Sequence, residues 1–214
     1  MAATEREAAD RRPLASRGTR WAQALARTLL RTRATPNAIS ATGVGFAALG
    51  GLAFALAPRH PWLFLAGALL VQFRLLCNLL DGMVAVEGGR GSPTGALFNE
   101  IPDRLEDTVL LVGFGYAAGL PALGFTAALL AVLTAYLRAF GASLGLGQDF
   151  GGPMAKPQRM AALTVGGVLA FAEALFASTS YVSLAVLAAI ALGTAWTCGR
   201  RTRRMARLLH ERAL

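Results

Sequence analysis

The sequence predicts an all-α, polytopic membrane protein with six transmembrane helices preceded by an amphipathic interfacial helix. Hydrophobic residues make up 55% of the chain and charged residues only 15%, whereas soluble domains average about 25% charged residues. Three stretches, residues 34–58, 108–137 and 174–199, carry no charge. Each is longer than the roughly 20 residues that cross a hydrocarbon core as a helix. Positive charge gathers near both ends of the chain, as on the cytoplasmic flanks of membrane spans.

The spans are predicted from hydropathy and from the positions of the prolines. Pro61, Pro93 and Pro121 stand at predicted helix starts, and Ser92 is predicted to cap the helix that begins with Pro93. The six spans are predicted at residues 37–57, 62–86, 93–118, 121–146, 159–178 and 181–198.

A further helix is predicted before the first span, within residues 19–33. Arginines occupy several of its faces, whereas one face is largely apolar, a pattern typical of a helix that lies in the membrane interface. That face carries Trp21, Leu25, Thr28 and Leu29. A charged, partly ordered tail is the alternative interpretation.

The chain is predicted to have three parts: a cytoplasmic amino-terminal segment (1–36), a transmembrane domain (37–198) and a basic cytoplasmic tail (199–214). An even number of spans places both termini on one side, and the flanking arginines identify that side as the cytoplasm. We therefore expect an integral protein of a bacterial cytoplasmic (inner) membrane. Residues 1–33 lack the apolar region of a cleavable signal peptide. The net charge of +9 lies beside the spans, which predicts contact with anionic lipid and argues against nucleic-acid binding.

Six of the twelve acidic residues fall within residues 77–108, where a membrane makes them costly. A charged side chain at the centre of a bilayer costs about 3 kcal/mol on translocon scales. Polar side chains at intervals of three and four form one stripe on each of two predicted helices. The stripes consist of Arg74, Asn78 and Asp81 on the second span, with Ala85 next on the same face, and of Asn99, Asp103 and Asp107 on the third, with Glu100 beside them.

Carboxylates that face one another need protons or cations to neutralise their charge. Oxygen ligands from Asp, Glu and Asn suit magnesium, manganese or calcium, so the stripes predict a divalent cation site. The alternative is that Arg74 and Arg104 alone neutralise the carboxylates.

The spacing of these residues resembles the signature of the CDP-alcohol phosphatidyltransferase family, D-x2-D-G-x2-A-R-x8-9-G-x3-D-x3-D. Two of the four aspartates are replaced here, by Asn78 and Asn99, and the arginine is replaced by Val86. The stretches ATPNAIS (34–40) and GPMAKPQR (152–159) extend the resemblance along most of the chain. The matched positions are Asn78, Asp81, Gly82, Ala85, Val86, Gly95, Asn99 and Asp103.

The resemblance implies a membrane enzyme of phospholipid biosynthesis that uses Mg²⁺ or Mn²⁺. Such an enzyme transfers a substituted phosphate group from a CDP-alcohol, most simply CDP-diacylglycerol, to an acceptor hydroxyl and releases CMP. It also implies that Asp103 is the catalytic base, with Asp107 as second choice. The candidate metal ligands are Asp81, Asp103, Asn78, Asn99, Asp107 and Glu100, the last two making up for lost carboxylate charge.

Candidate substrate-binding residues surround these ligands. Gly82, Ala85 and Gly95 leave room for the nucleotide, and Arg90 is a candidate contact for cytidine diphosphate. Among residues outside the signature, Arg138, Lys156 and Arg159 predict either a basic pocket for a phosphate group or ordinary positive flanks of the spans.

Two alternatives to the enzyme remain open at this point. A catalytically impaired member of the family, acting as a lipid-binding or assembly partner, would explain the two asparagines and Val86. An ion or proton transporter would explain buried carboxylates, but not the spacing of the signature. Family members are commonly homodimers, and the glycine-rich faces of the spans permit that assembly. The acceptor alcohol is left open.

Overall fold

Seven α-helices make up the described part of the protein. The computed structural model describes residues 18–90, 94–177 and 179–213, and no strand occurs in these ranges. The predicted Ser92 cap lies outside the described residues, and so do residues 1–17 of the segment in which no signal peptide is expected. The helices are α1 (Arg20–Leu30), α2 (Pro36–Leu56), α3 (Leu63–Glu87), α4 (Gly95–Ala117), α5 (Pro121–Ser143), α6 (Lys156–Phe176) and α7 (Tyr181–Arg212).

Local sequence signals explain several helix boundaries. The Thr35 hydroxyl caps α2 by accepting a hydrogen bond from the backbone N–H of Ala38 at 3.2 Å. The α5 helix ends before the predicted residue 146 because Gly145 has a positive φ of 71° and the Leu146 N–H donates back to the Gly141 carbonyl. Pro157 stands in the first turn of α6, where a proline is tolerated. This helix begins at Lys156, three residues earlier than predicted.

The last helix is much longer than the predicted span 181–198. It continues through the basic segment to Arg212, and its side chains contact the loop after α5. The Arg212 guanidinium donates to the carbonyls of Leu144 and Gly145, at 3.1 and 2.6 Å. These contacts give the basic segment a fixed position beside α5, and the boundary at residue 198 stays a prediction.

Helix α2 packs against both α3 and α4, α4 packs on α5, and α5 on α7, while α6 contacts α3 and α7. The approach of α2 to α4 depends on glycine. A Cβ atom placed on Gly113 would lie 2.1 Å from the carbonyl oxygen of Gly51, so only glycine fits there. Phe54 and Phe114 meet edge to face in the core beside this crossing, with ring centroids 5.0 Å apart.

The architecture is that of a polytopic membrane protein. Among the described residues, five helices are long and apolar enough to cross a membrane: α2, α3, α5, α6 and α7. Helix α4 is not among them because its first half carries the acidic residues noted above. Helix α1 packs on α3 through Ala22 and Ala26, which are fully buried, and leaves Trp21 exposed.

Candidate active site

Arg74 is the centre of a buried ionic network that connects α3 with α4. Its side chain is fully buried. The Nε atom donates to Glu106 at 2.5 Å, and a terminal nitrogen donates to Asp107 at 2.7 Å. A lone buried charge is costly. Removal of either the guanidinium or a carboxylate would therefore leave a remaining buried charge without its partner.

Asp107 is held by arginines on both of its oxygens. Arg74 donates to Oδ1, and Arg159 at the start of α6 donates to Oδ2 at 2.9 Å. The Arg159 guanidinium also donates to the carbonyl of Met154 at 3.1 Å. Asp107 and Arg159 are both about 1% exposed. The geometry therefore makes Asp107 a structural link between α3, α4 and α6.

Asp103 lies one turn before Asp107 and is more accessible, with 13% of its side chain exposed. The Asn78 amide donates to its Oδ1 at 2.6 Å. Lys156 forms an ion pair with the same oxygen, and Arg104 lies 3.3 Å from Oδ2. The predicted metal ligands Asn78 and Asp103 are thus brought together, with Lys156 beside them.

Asp81 has one oxygen engaged and one without a protein partner. The Ser40 hydroxyl on α2 donates to Oδ2 at 2.6 Å. Oδ1 is buried and accepts no hydrogen bond from the described residues, and the whole residue is only 4% exposed. An unpaired buried carboxylate oxygen is costly, so this atom is a candidate ligand for a cation.

Glu100 pairs with Arg138 on α5 and shares Arg104 with Asp103. One terminal nitrogen of Arg138 lies 2.6 Å from both Glu100 oxygens, and the other donates to Gln148 at 2.6 Å. The guanidinium also lies over the ring of Phe150, 5.3 Å from its centroid.

A basic pocket opens between α5, the loop after it and the extended part of α7. Arg201 is nearly buried here and donates to the carbonyls of Gly151 and Thr134, at 3.1 and 2.5 Å. Arg204 pairs with Asp149 at 3.0 Å. The polar side chains that line the pocket are Arg138, Gln148, Asp149, Arg201 and Arg204.

Arg201 and Glu106 are site residues that reasoning from the sequence missed. Arg201 stands in the run GRRTRR, which reads as a tail. Its signal was the buried face of α7, where Ile190, Thr194 and Cys198 precede Arg201 at helical spacing. Glu106 was left out of the predicted stripe, although it follows Asp103 by three residues and so shares a helix face with it.

The remaining candidate residues differ in their burial and in their hydrogen-bond partners. Gly82 and Ala85 are half-buried in the last turns of α3, and Gly95 is the first residue of α4, whereas Asn99 is exposed. Arg90 is engaged elsewhere. Its guanidinium donates to the carbonyls of Leu30, Thr32 and Ala34, and so fixes the end of α1.

Four carboxylates of this region form ion pairs with five cations, so neutralisation does not depend on Arg74 and Arg104 alone. Asp81 is in no ion pair with a described residue. The paired carboxylates are those of Glu100, Asp103, Glu106 and Asp107, and the cations are Arg74, Arg104, Arg138, Lys156 and Arg159.

A divalent ion bound here would need ligands from a substrate as well as from the protein. Within the described ranges, no group of three or more His, Cys, Asp or Glu side chains is placed to hold a metal by itself. Magnesium is commonly bound by one or two carboxylates and completed by water and substrate phosphates. The unpartnered oxygen of Asp81 matches that arrangement, whereas Asp103 would have to exchange contacts with protein cations to take part.

Comparison with known proteins identifies relatives of this chain. No family model matches the chain. The chain is 30% identical over 152 residues to a phosphatidylinositol phosphate synthase of Mycolicibacterium smegmatis, an alignment that spans 68% of this chain and 66% of the relative. It is 31% identical over 189 residues to the phosphatidylinositol phosphate synthase of Mycobacterium marinum, spanning 83% of this chain and 76% of the relative.

Solved structures show the same fold. The crystal structure of Mycobacterium tuberculosis phosphatidylinositol phosphate synthase (PgsA1) with manganese and citrate matches with a TM-score of 0.73 and 25% identity. The match covers 86% of this chain and 88% of that one. The same enzyme with CDP-DAG bound matches with a TM-score of 0.71 and 26% identity, over 87% of this chain and 94% of that one.

These likenesses confirm the family, the enzyme class and the divalent metal expected from the sequence, since the relative's crystal contains manganese. Identity of 31% over three quarters of a relative, together with the shared fold, is decisive. The chain belongs to the CDP-alcohol phosphatidyltransferase family, whose members are membrane enzymes of phospholipid biosynthesis.

Proposed function

We propose that this chain is a phosphatidylinositol phosphate synthase. It transfers the phosphatidyl group of CDP-diacylglycerol to a hydroxyl of inositol phosphate, and CMP leaves. The names of the relatives support this acceptor. The observation that carries the proposal is the basic pocket, which is connected to Asp103 through the ion pairs of Arg138, Glu100 and Arg104. An acceptor that bears a phosphate group requires such a pocket, whereas serine or choline does not.

In this proposal Asp81 and Asp103 hold a Mg²⁺ or Mn²⁺ ion, helped by the amide oxygens of Asn78 and Asn99. When bound, the ion offsets negative charge on the phosphoryl oxygens and on the departing CMP. Glu100 and Asp107 are weaker candidates as ligands, because Arg138 lies 2.6 Å from both oxygens of Glu100 and Asp107 is only about 1% exposed.

Asp103 is the proposed base. Its carboxylate accepts the proton of the acceptor hydroxyl while the new bond to phosphorus forms and the bond to CMP breaks. Lys156 and the Asn78 amide hold the carboxylate in place. Asp107 acts through Arg74 and Arg159, which fix α4 against α3 and α6. The lack of large side chains at Gly82, Ala85 and Gly95 leaves room for the nucleotide.

The finer topology is also part of the proposal. Helix α4 is a sixth span whose charged first half lies at the cytoplasmic boundary, with the domain boundaries given above. Both termini are then cytoplasmic, and α1 lies in the interface with Trp21 toward lipid. We place the protein in a bacterial cytoplasmic membrane as a homodimer, in contact with anionic lipid.

A second candidate function is that of a catalytically impaired, lipid-binding family member. It is favoured by the two asparagines and by the protein cations that already neutralise Asp103 and Asp107. Purified protein that binds CDP-diacylglycerol but releases no CMP with any acceptor would establish it.

The acceptor is tested by offering purified protein CDP-diacylglycerol and Mn²⁺ with inositol phosphate, inositol, glycerol phosphate or serine in turn. We expect CMP and phosphatidylinositol phosphate only with inositol phosphate. Inositol is the matched control because it lacks only the phosphate group. Equal turnover of inositol and inositol phosphate would contradict the proposed pocket.

Two neighbouring arginines on α7 provide a matched pair of variants for the same assay. Arg204 lines the pocket, whereas Arg203 is exposed and outside it. Arg204→Gln should raise the KM for inositol phosphate about tenfold, as expected for loss of a charged hydrogen-bond donor. Arg203→Gln should leave that KM unchanged.

A further inference from the structure

In the contact between Glu100 and Arg138, other residues also hold the arginine, whereas the glutamate is more exposed. Arg138 is anchored by Gln148 and by the ring of Phe150, and only 14% of its side chain is exposed. Glu100 reaches it from α4 with 46% of its side chain in solvent. Because solvent replaces the lost contacts of an exposed side chain, Glu100 is the partner that can leave at low cost.

The guanidinium that Glu100 engages also lines the basic pocket, although Glu100 itself does not. A carboxylate and a phosphate group present the same kind of oxygen acceptors to a guanidinium, so they compete for the same donors. Arg138 lines the pocket together with Arg201 and Arg204. An anion that enters the pocket therefore meets Arg138 already occupied by Glu100.

A second cation, Arg104, lies close enough to pair with Glu100 after Glu100 leaves Arg138. Arg104 lies one turn after Glu100 on α4, and its terminal nitrogen is 3.4 Å from a Glu100 oxygen. The displaced carboxylate is thus paired with Arg104 and partly hydrated, and no unpaired buried charge results.

We propose that Glu100 is an internal anion that occupies Arg138 and is displaced when the phosphate group of the acceptor binds. The proposal rests on the proposed function in taking this pocket as the acceptor site. Its consequence is that the pocket of the free enzyme binds phosphate less tightly than its three arginines would allow. The apparent affinity equals the intrinsic affinity multiplied by the fraction of molecules in which Arg138 is free.

Inorganic phosphate is the probe that tests this contact without turnover. Its binding to purified protein in detergent is measured by calorimetry in the absence of CDP-diacylglycerol and metal. Glu100→Gln should bind phosphate about three- to tenfold more tightly than the unchanged protein, because a competing ion pair of this exposure is lost. Glu100→Asp shortens the side chain by one methylene group, and it should also tighten phosphate binding, but by less.

Two controls separate this effect from a general change of charge. Glu87→Gln removes one negative charge from the exposed end of α3, and it should leave phosphate binding unchanged. Arg138→Gln should weaken binding, and adding Glu100→Gln to it should restore nothing, since the two residues act as one pair.

The proposal is overturned if Glu100→Gln and Glu100→Asp bind phosphate no more tightly than the unchanged protein. It is equally overturned if the gain from Glu100→Gln persists when Arg138 is glutamine. The proposed function fails by a different result, namely no CMP release with any phosphate-bearing acceptor, whatever the variants show for phosphate binding.

Discussion

The side-chain amide of Asn78 donates a 2.6 Å hydrogen bond to Oδ1 of Asp103. An asparagine at this position thus acts as a donor to the remaining carboxylate, where a second carboxylate would repel it. The bond connects α3 with α4 without help from a cation. It explains how the chain tolerates asparagine in the first position of the signature.

Asn78→Asp should make the site depend on metal. Two carboxylates would then face each other, so the protein without metal should be destabilised by about 1–3 kcal/mol through the lost hydrogen bond and like-charge repulsion. Mn²⁺ should bind more tightly than to the unchanged protein. Thermal midpoints with and without Mn²⁺ measure both effects, and Gln23→Glu on the exposed face of α1 controls for added charge. An unchanged response to Mn²⁺ would argue against a metal position beside residue 78.

Arg74→Gln should destabilise the fold strongly. The substitution leaves Glu106 and Asp107 buried with one cation fewer, and breaking a buried ion pair costs about 3–5 kcal/mol. Chemical unfolding in detergent measures the loss. Arg59→Gln, at an exposed position in the turn before α3, should change stability by less than about 0.5 kcal/mol. Equal effects of the two substitutions would show that the network contributes nothing to the fold.

Gly113→Ala should separate α2 from α4. The added methyl group would lie 2.1 Å from the Gly51 carbonyl oxygen, and overpacking of this kind costs about 1–3 kcal/mol or more. Gly45→Ala is the matched control, because nothing lies within 4 Å of a Cβ atom there, and α2 should gain about 0.4–1 kcal/mol. Thermal midpoints give the comparison, and a stable Gly113→Ala protein would mean that the two helices are farther apart.

Arg90→Ala should loosen α1. The guanidinium donates to Leu30, Thr32 and Ala34 at 3.0, 3.1 and 2.9 Å, and losing these bonds should cost about 1–2 kcal/mol locally. Amide hydrogen exchange of residues 20–30 should speed up about tenfold. Arg33→Ala, an exposed arginine of the same connection, should leave exchange unchanged. If Arg90 instead contacts cytidine diphosphate, its loss will weaken CDP-diacylglycerol binding and leave α1 protected.

The sequence predicted the helix starts and the helix faces better than the contacts between helices. Pro36 and Pro121 begin α2 and α5 within one residue of the predicted starts, because proline fixes the backbone of a first turn. Helical spacing also placed Arg74, Asn78 and Asp81 on one face. Spacing along one helix says nothing of what faces it, so the pairing of Asp107 with Arg159 required the packing of α6.

The basic pocket also could not be predicted from the sequence. Arg201 looked like part of a tail because a run of arginines after a span usually marks a cytoplasmic flank. Its role depends on α7 continuing as a helix past residue 198 and on the carbonyl of Thr134 lying within reach. Neither is encoded in local composition.

The most direct test of the account is CMP release from CDP-diacylglycerol and inositol phosphate by purified protein with Mn²⁺. We expect one CMP for each phosphatidylinositol phosphate formed and no release in the presence of a chelator. Asp81→Asn should lower the rate about a hundredfold or more, since a metal ligand is worth several kcal/mol in the transition state, while Glu87→Gln should keep it. Full, metal-independent CMP release by Asp81→Asn would contradict the account.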